Sequence, residues 1–217
     1  MLHHRITKNE LIQVQLVLLT AIILQIVTRH IGNALLPGSQ YIIILTELGL
    51  AFLIGLTVNR HRSNNIGLHH VLAVVLIGLI SAANLSGLIY VLKALIVSHA
   101  SLSAEQLLAA AIPIFITNII VYALWYWEID SPGLTRTHWS KHDKDFQFTQ
   151  QDLAKEFPGW EPQFLDYLFI SVSNAVNFAP ADTRPLTHQA KMLMSSQSLI
   201  SVFTLALVVA RSVSILG

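Results

Sequence analysis

The sequence contains no cysteine, which excludes disulfide bonds, thiolate metal sites and cysteine nucleophiles. Charged residues are also scarce, at 12% of the chain, and the formal net charge is only +1. So small a positive charge, without interleaved basic and aromatic residues, argues against nucleic acid as a partner. No His, Asp or Glu spacing matches a zinc signature and no nucleophile turn occurs, so the sequence predicts no enzyme, no metal and no cofactor.

Hydrophobic residues are present in excess instead. They make up 53% of the chain, and the mean hydropathy of +0.59 lies outside the range of soluble domains. A helix needs roughly 20 apolar residues to cross a bilayer. Segments 11–27, 41–58, 71–97 and 107–127 meet this requirement, and the first lacks a cleavage site. The sequence therefore predicts a multi-pass membrane protein, with the lipid bilayer as its first partner.

The composition changes after residue 128, where the aromatic cluster 125–127 is expected at headgroup level. Residues 129–161 are polar and near neutral, and we expect them to lie along the membrane surface. Residues 164–178 are too short and too polar to span comfortably, whereas 190–216 can form a full span. Irregular backbone at membrane depth needs protein or a water-filled cavity around it, so the pattern predicts a re-entrant loop.

The clearest motif is the loop Asn177-Phe178-Ala179-Pro180-Ala181-Asp182, which is followed by Pro185, Thr187 and Ala210-Arg211. In this register, residues 166–211 resemble the pore module of bacterial two-span potassium channels, where the filter is Thr-Val-Gly-Tyr-Gly-Asp. The C-terminal half is also similar to an uncharacterised bacterial family of integral membrane proteins. The motifs shared with that family are Trp-Tyr-Trp-Glu at 125–128 and Trp-x-Pro-x-Phe-x-Asp-Tyr-Leu at 160–168.

The resemblance implies an all-α protein of the bacterial plasma membrane. Four transmembrane helices (1–128) precede a polar interfacial segment (129–161) and a pore module (162–217) made of a pore helix, an altered filter and an inner-type helix. By analogy the protein is a homo-oligomer, most simply a tetramer, and it passes a cation or small polar solute. The alternative is a non-conducting scaffold or sensor that keeps the pore fold. The filter-like residues are Ser173, Asn174, Asn177, Phe178, Ala179, Pro180, Ala181 and Asp182.

The altered filter is not expected to select potassium. Potassium filters use backbone carbonyls whose glycines permit alternating conformations. Ala179 and Ala181 carry a Cβ that penalises positive φ, and Pro180 has a fixed φ and no N–H. The loop is then either a tight structural linker, or part of a wider constriction lined by Asn174 and Asn177.

Three polar features leave alternatives open. Asp182 either pairs with Arg184 or with Trp and Tyr groups of the loop, or forms a cation-attracting ring at a symmetric mouth. Glu47 and Lys93 lie within spans at similar depth, and they predict an ion pair, a relay through Glu47 or snorkelling of Lys93. The polar cluster 195–198 begins the last helix, where part of it would face a water-filled cavity.

Positive charges predict a cytoplasmic N-terminus, because Arg and Lys concentrate before the first span and after the second. Four spans then return the polar segment to the cytoplasm, so the loop would enter from inside, opposite to potassium channels. Either the loop is inverted, or residues 164–178 cross fully, or the charge rule fails for this sequence.

Overall fold

The fold is mostly helical, as predicted. The computed structural model describes residues 8–31, 45–51, 66–96, 103–130, 144–177 and 182–216. Its helices are α1 (Lys8–Ile31), α2 (45–51), α3 (Ile66–Ile96), α4 (Ala104–Asp130), α5 (Thr149–Asp152), α6 (Phe164–Asn177) and α7 (His188–Leu216). Two short strands are also present, β1 (Phe146–Phe148) and β2 (Thr183–Pro185).

Three of the predicted spans are confirmed as helices long and apolar enough to cross a membrane. Among the described residues these are Val71–Ala94 in α3, Glu105–Asp130 in α4 and His188–Ala210 in α7. Helix α1 covers the span predicted at 11–27, but its apolar stretch is shorter. Of the span predicted at 41–58, only α2 belongs to the described residues. The chain thus has the helices of a membrane protein, and the fourth span stays a prediction.

Helix α4 lies at the centre of the helical body. It packs against α1, α3, α6 and α7. Of its apolar window 61% is buried, compared with 33% for α3 and 28% for α7. A capping box sets its start: Gln106 N–H donates to Ser103 Oγ over 3.2 Å, and Ser103 N–H donates to Gln106 Oε1 over 2.9 Å. Helix α4 is therefore the central helix, and these four helices pack around it.

Aromatic side chains fill the core where α4 meets α6 and β1. The ring centroids of Tyr126 and Phe146 are 5.3 Å apart, and those of Phe146 and Tyr167 are 6.3 Å apart, both edge to face. Tyr126 and Trp127 are 0% and 1% exposed. They are enclosed by protein, because β1 and α6 cover the end of α4. Their position at headgroup level stays a prediction.

The two strands form an antiparallel pair, which the all-α prediction did not include. Phe146 of β1 lies opposite Pro185 of β2. Next to the pair, the N–H and hydroxyl of Thr149 both donate to the carbonyl of Asp182, over 3.2 and 2.8 Å. The described residues 145–149 of the polar segment therefore pack against residues 182–186.

Candidate functional site

Helix α6 begins beside the C-terminal end of α4 and runs antiparallel to it. The ring centroid of Phe164, the first residue of α6, is 5.7 Å from that of Trp127. Two turns further on, the hydroxyl of Ser171 donates to the carbonyl of Ile119 over 2.6 Å. Helix α6 therefore extends from the end of α4 toward its middle.

A carboxylate caps the start of α6. The N–H of Gln163 donates to Oδ2 of Asp166 over 2.7 Å, which is the acidic half of a capping box. Partial burial raises the pKa of Asp166 above its ordinary value, although the hydrogen bond from Gln163 acts in the opposite direction. This cap fixes the point at which the chain turns into α6.

After α6 the chain returns to the same end of α4. Strand β2 pairs with β1, which itself lies against the end of α4. The N–H of Leu186 then donates to the carbonyl of Asp145 over 2.8 Å. The hydroxyl of Thr187 accepts the N–H of Ala190 over 3.2 Å and so caps α7. Both ends of the segment 164–182 consequently lie at one end of α4.

Asn174 lies at the centre of a buried hydrogen-bond network and is only 1% exposed. Its Nδ2 is 2.9 Å from the carbonyl of Met194, 2.8 Å from Gln197 Oε1 and 3.3 Å from the Tyr126 hydroxyl. Tyr126 donates to the same Gln197 oxygen over 2.5 Å, and Ser198 donates to Asn174 Oδ1 over 3.3 Å. Side chains of α4, α6 and α7 thus satisfy Asn174 inside one chain.

The network continues through Gln197 to Ser171. Nε2 of Gln197 donates to the carbonyl of Ser171 over 3.0 Å and to its hydroxyl over 2.7 Å. Between α4 and α7, hydroxyl groups join Tyr122 with Ser196 at 2.8 Å, and the amide of Asn118 donates to Ser201 at 3.1 Å. Such bonds hold helices together where lipid offers no polar partner.

The predicted filter residues fall into different environments. Asn174 is buried, Ser173 is half-buried, and Asn177 and Asp182 are exposed. The remaining predicted filter residues, 178–181, lie outside the described residues. Of the two asparagines expected beside a constriction, only Asn177 is therefore available to solvent or a partner, because the amide of Asn174 is used in the interior.

Asp182 takes part in the fold through its backbone carbonyl, which accepts both bonds from Thr149. Arg184, the partner suggested for Asp182 by the sequence, forms its ion pair with Asp152 of α5 at 2.5 Å. The pair is exposed, so it contributes little to stability.

The two ionisable residues predicted within spans also differ in environment. Glu47 is fully buried in the helical body, whereas Lys93 is exposed near the end of α3. Exposure near a helix end suits snorkelling of the lysine. The ion pair and the relay through Glu47 stay predictions.

An open groove of about 800 Å³ runs between the end of α6, strand β2 and the first half of α7. Its polar lining includes Ser195, Ser198 and the basic residues Arg184 and Lys191, and its apolar lining includes Leu199 and Val202. The polar cluster at 195–198 is thereby divided: two serines line the groove, while the glutamine belongs to the buried network.

Two members of the network were not identified from the sequence as site residues. Ser171 precedes Asn174 by three residues, and this spacing places both on one face of α6. Helical periodicity was therefore the one feature of the sequence that could have linked Ser171 to Asn174. Tyr126 offered no comparable signal, because a buried tyrosine and one at the headgroups have the same local sequence.

The resemblance to a potassium-channel pore module stays a prediction from the sequence motif. Comparisons of the chain with protein-family models, with curated proteins and with solved structures found no match.

Proposed function

We propose that residues 162–217 form the pore module of a homo-oligomeric, channel-like protein of the plasma membrane. The module passes a cation or small polar solute and does not select potassium. The path of the chain around α6 is the observation that carries this proposal. Helix α6 has 14 residues. At a rise of about 1.5 Å per residue it covers roughly 21 Å, less than the ~30 Å of a hydrocarbon core.

The return of the chain supports a loop that turns within the membrane. The residue before the segment, Gln163, and the residue after it, Thr183, belong to the same end of α4, where β1 and β2 pair. A full crossing would place them on opposite faces. Of the alternatives left by the charge pattern, we therefore prefer a re-entrant loop to a sixth span.

The groove beside this loop supports contact with water or with a second copy of the chain. Ser195 and Ser198 present hydroxyl groups to it, and the exposed side chains of Arg184 and Lys191 line it as well. The hydroxyl of Ser195 already donates to the carbonyl of Lys191 over 2.8 Å, but charged side chains are costly in hydrocarbon, so the two basic residues favour water or a polar partner at the groove. In a symmetric oligomer the groove would line either the pathway or the interface between subunits.

The second candidate is a scaffold or sensor that does not conduct. The buried network favours it, because Asn174 and Gln197 satisfy each other within one chain and need no water. The two candidates differ in whether Asn177 and Ser195 meet a water-filled pathway in the assembled protein.

Cysteine labelling tests the re-entrant path, and the cysteine-free sequence gives no background reaction. Glu161→Cys and Asp182→Cys place single thiols at exposed positions on either side of α6 and its loop. In sealed vesicles, we expect a membrane-impermeant maleimide to react with both from the same face. Reaction from opposite faces would establish a crossing and remove the pore-loop interpretation.

Flux measurements test conduction separately. We expect proteoliposomes to pass potassium and sodium at similar rates, or a small neutral solute, and a charged thiosulfonate to block this flux in Ser195→Cys. The matched control is Phe203→Cys, which is 54% exposed on the same helix and does not line the groove. If no ion or solute passes while the labelling still gives one face, the scaffold is the correct function.

A further inference from the structure

The groove beside α7 changes in chemical character along its length. Exposed basic side chains line it where α7 begins, hydroxyl groups follow, and apolar side chains line its far part. In that order the residues are Arg184 and Lys191, then Ser195 and Ser198, then Leu199 and Val202. The groove thus passes from charged through polar to apolar within about 800 Å³, a volume typical of ligand pockets.

Helical geometry gives this order a depth in the membrane. Lys191, Ser195 and Val202 lie on one face of α7, because their spacings of four and seven residues are helical repeats. At about 1.5 Å per residue, Ser195 is about 6 Å and Val202 about 16 Å beyond Lys191 along the axis. The apolar window of α7 begins at His188. Lys191 therefore belongs at the end of the span, and Val202 at hydrocarbon depth.

The basic end of the groove can bind an anion. The side chain of Arg184 is 73% exposed, and only one of its nitrogens pairs with Asp152, so other N–H groups of the guanidinium are available. Lys191 is exposed in the first turn of α7, where the helix dipole also favours negative charge. Among the described residues that line the groove, none is acidic. Positive charge at the end of a span, followed by an apolar channel, matches the layout of an anionic lipid.

We propose that the groove binds one anionic phospholipid. Its phosphate contacts Lys191 and Arg184, its ester linkages lie beside the two serines, and the upper part of one acyl chain follows Leu199 and Val202. Basic pockets beside membrane-spanning helices bind lipid headgroups in this way. A free phosphate ion would leave the apolar half of the groove unfilled, and that half is what selects a lipid.

The lipid site goes beyond the proposed function, because binding does not depend on conduction. A scaffold or sensor would keep it as readily as a channel would. An occupied groove excludes water and reagents from Ser195, whereas in phosphatidylcholine the groove stays open. The flux measurement with Ser195→Cys is therefore made in phosphatidylcholine, and failure of flux there leaves the result on lipid binding separate.

Native mass spectrometry of the full-length protein in a neutral detergent measures the binding. A Lys or Arg near a lipid surface strengthens binding about fivefold, so phosphatidylglycerol should bind about 25-fold more tightly than phosphatidylcholine. Lys191→Gln should weaken phosphatidylglycerol binding about fivefold and leave phosphatidylcholine unchanged. The matched control is Lys155→Gln, an exposed lysine that does not line the groove, and it should change neither. The proposal is wrong if the two lipids bind equally, if Lys191→Gln keeps the full preference, or if millimolar inorganic phosphate displaces the lipid.

Thiol protection locates the lipid in the groove. An uncharged maleimide should react with Ser195→Cys several-fold more slowly in vesicles that contain phosphatidylglycerol than in pure phosphatidylcholine. Adding Lys191→Gln to this variant should restore the faster rate. Asp182→Cys, exposed outside the groove, should react at the same rate in both lipids. Slow reaction of Ser195→Cys in both lipids would show that a second copy of the chain covers the groove, and fast reaction in both would show that it is empty; either result overturns the proposal.

Discussion

Replacing Asn174 with alanine separates a structural role of this residue from a pore-lining one. The substitution removes an amide donor that reaches the carbonyl of Met194 at 2.9 Å and Gln197 Oε1 at 2.8 Å. Hydrogen bonds between helices in membranes contribute about 0.6 kcal/mol each on average and at most about 1.7. An acceptor left buried and unpaired costs about 1–3 kcal/mol. Since Gln197 keeps its bond from Tyr126, we expect a loss of about 2 kcal/mol in the free energy of unfolding.

Asn177→Ala is the matched control for Asn174→Ala. Both asparagines lie on α6, three residues apart, but Asn177 is exposed at the end of the helix. Its truncation should change the free energy of unfolding by less than about 0.5 kcal/mol, as is usual for surface substitutions. The comparison holds residue type and helix constant and varies only burial and bonding.

Reversible unfolding in mixed detergent and SDS micelles measures both variants. A double-mutant cycle with Gln197→Ala then isolates the pair, and we expect a coupling free energy of about 0.5–1 kcal/mol. If Asn174→Ala and Asn177→Ala are equally mild and the cycle is additive, the reasoning from the network is refuted, and Asn174 faces water in the assembled protein.

Two further substitutions probe the helix starts. Ser103→Ala removes the hydroxyl half of the α4 capping box, so the free energy of unfolding should fall by about 1 kcal/mol; an unchanged value would show that α4 does not begin there. Asp166 has a folded-state pKa raised above its ordinary value by partial burial, so its stabilising contribution is complete below its unfolded pKa and is lost as the pH rises through the folded pKa. Asp166→Asn should therefore make the decline in Tm from acid to neutral pH shallower than in the wild type, and parallel Tm curves would contradict this assignment.

The helices of the C-terminal module could be predicted because their signals are local. Length and composition predicted apolar helices at 164–178 and 190–216, and the structure has Phe164–Asn177 and His188–Leu216. The strands could not be predicted in this way. β1 is three residues long, and it is extended because residues far along the chain pair with it.

The candidate site was predictable only in part, for a related reason. Polarity at membrane depth drew attention to Asn174, but polarity alone does not distinguish a residue that faces water from one bonded to a neighbouring helix. That distinction depends on the rotation of each helix, which brings Gln197 toward Asn174 and leaves Asn177 outside.

The pairing of β1 with β2 also constrains the order of folding. Thr149 and Asp182 are 33 positions apart, so the strands can pair only after the whole intervening segment has been synthesised. Long-range pairing of this kind forms late, after the cost of closing the loop has been met. Until then the edge of β1, with its two phenylalanines, is unpaired and open to proteases. Protection of residues 146–148 from cleavage would thus report that β2 has paired with β1.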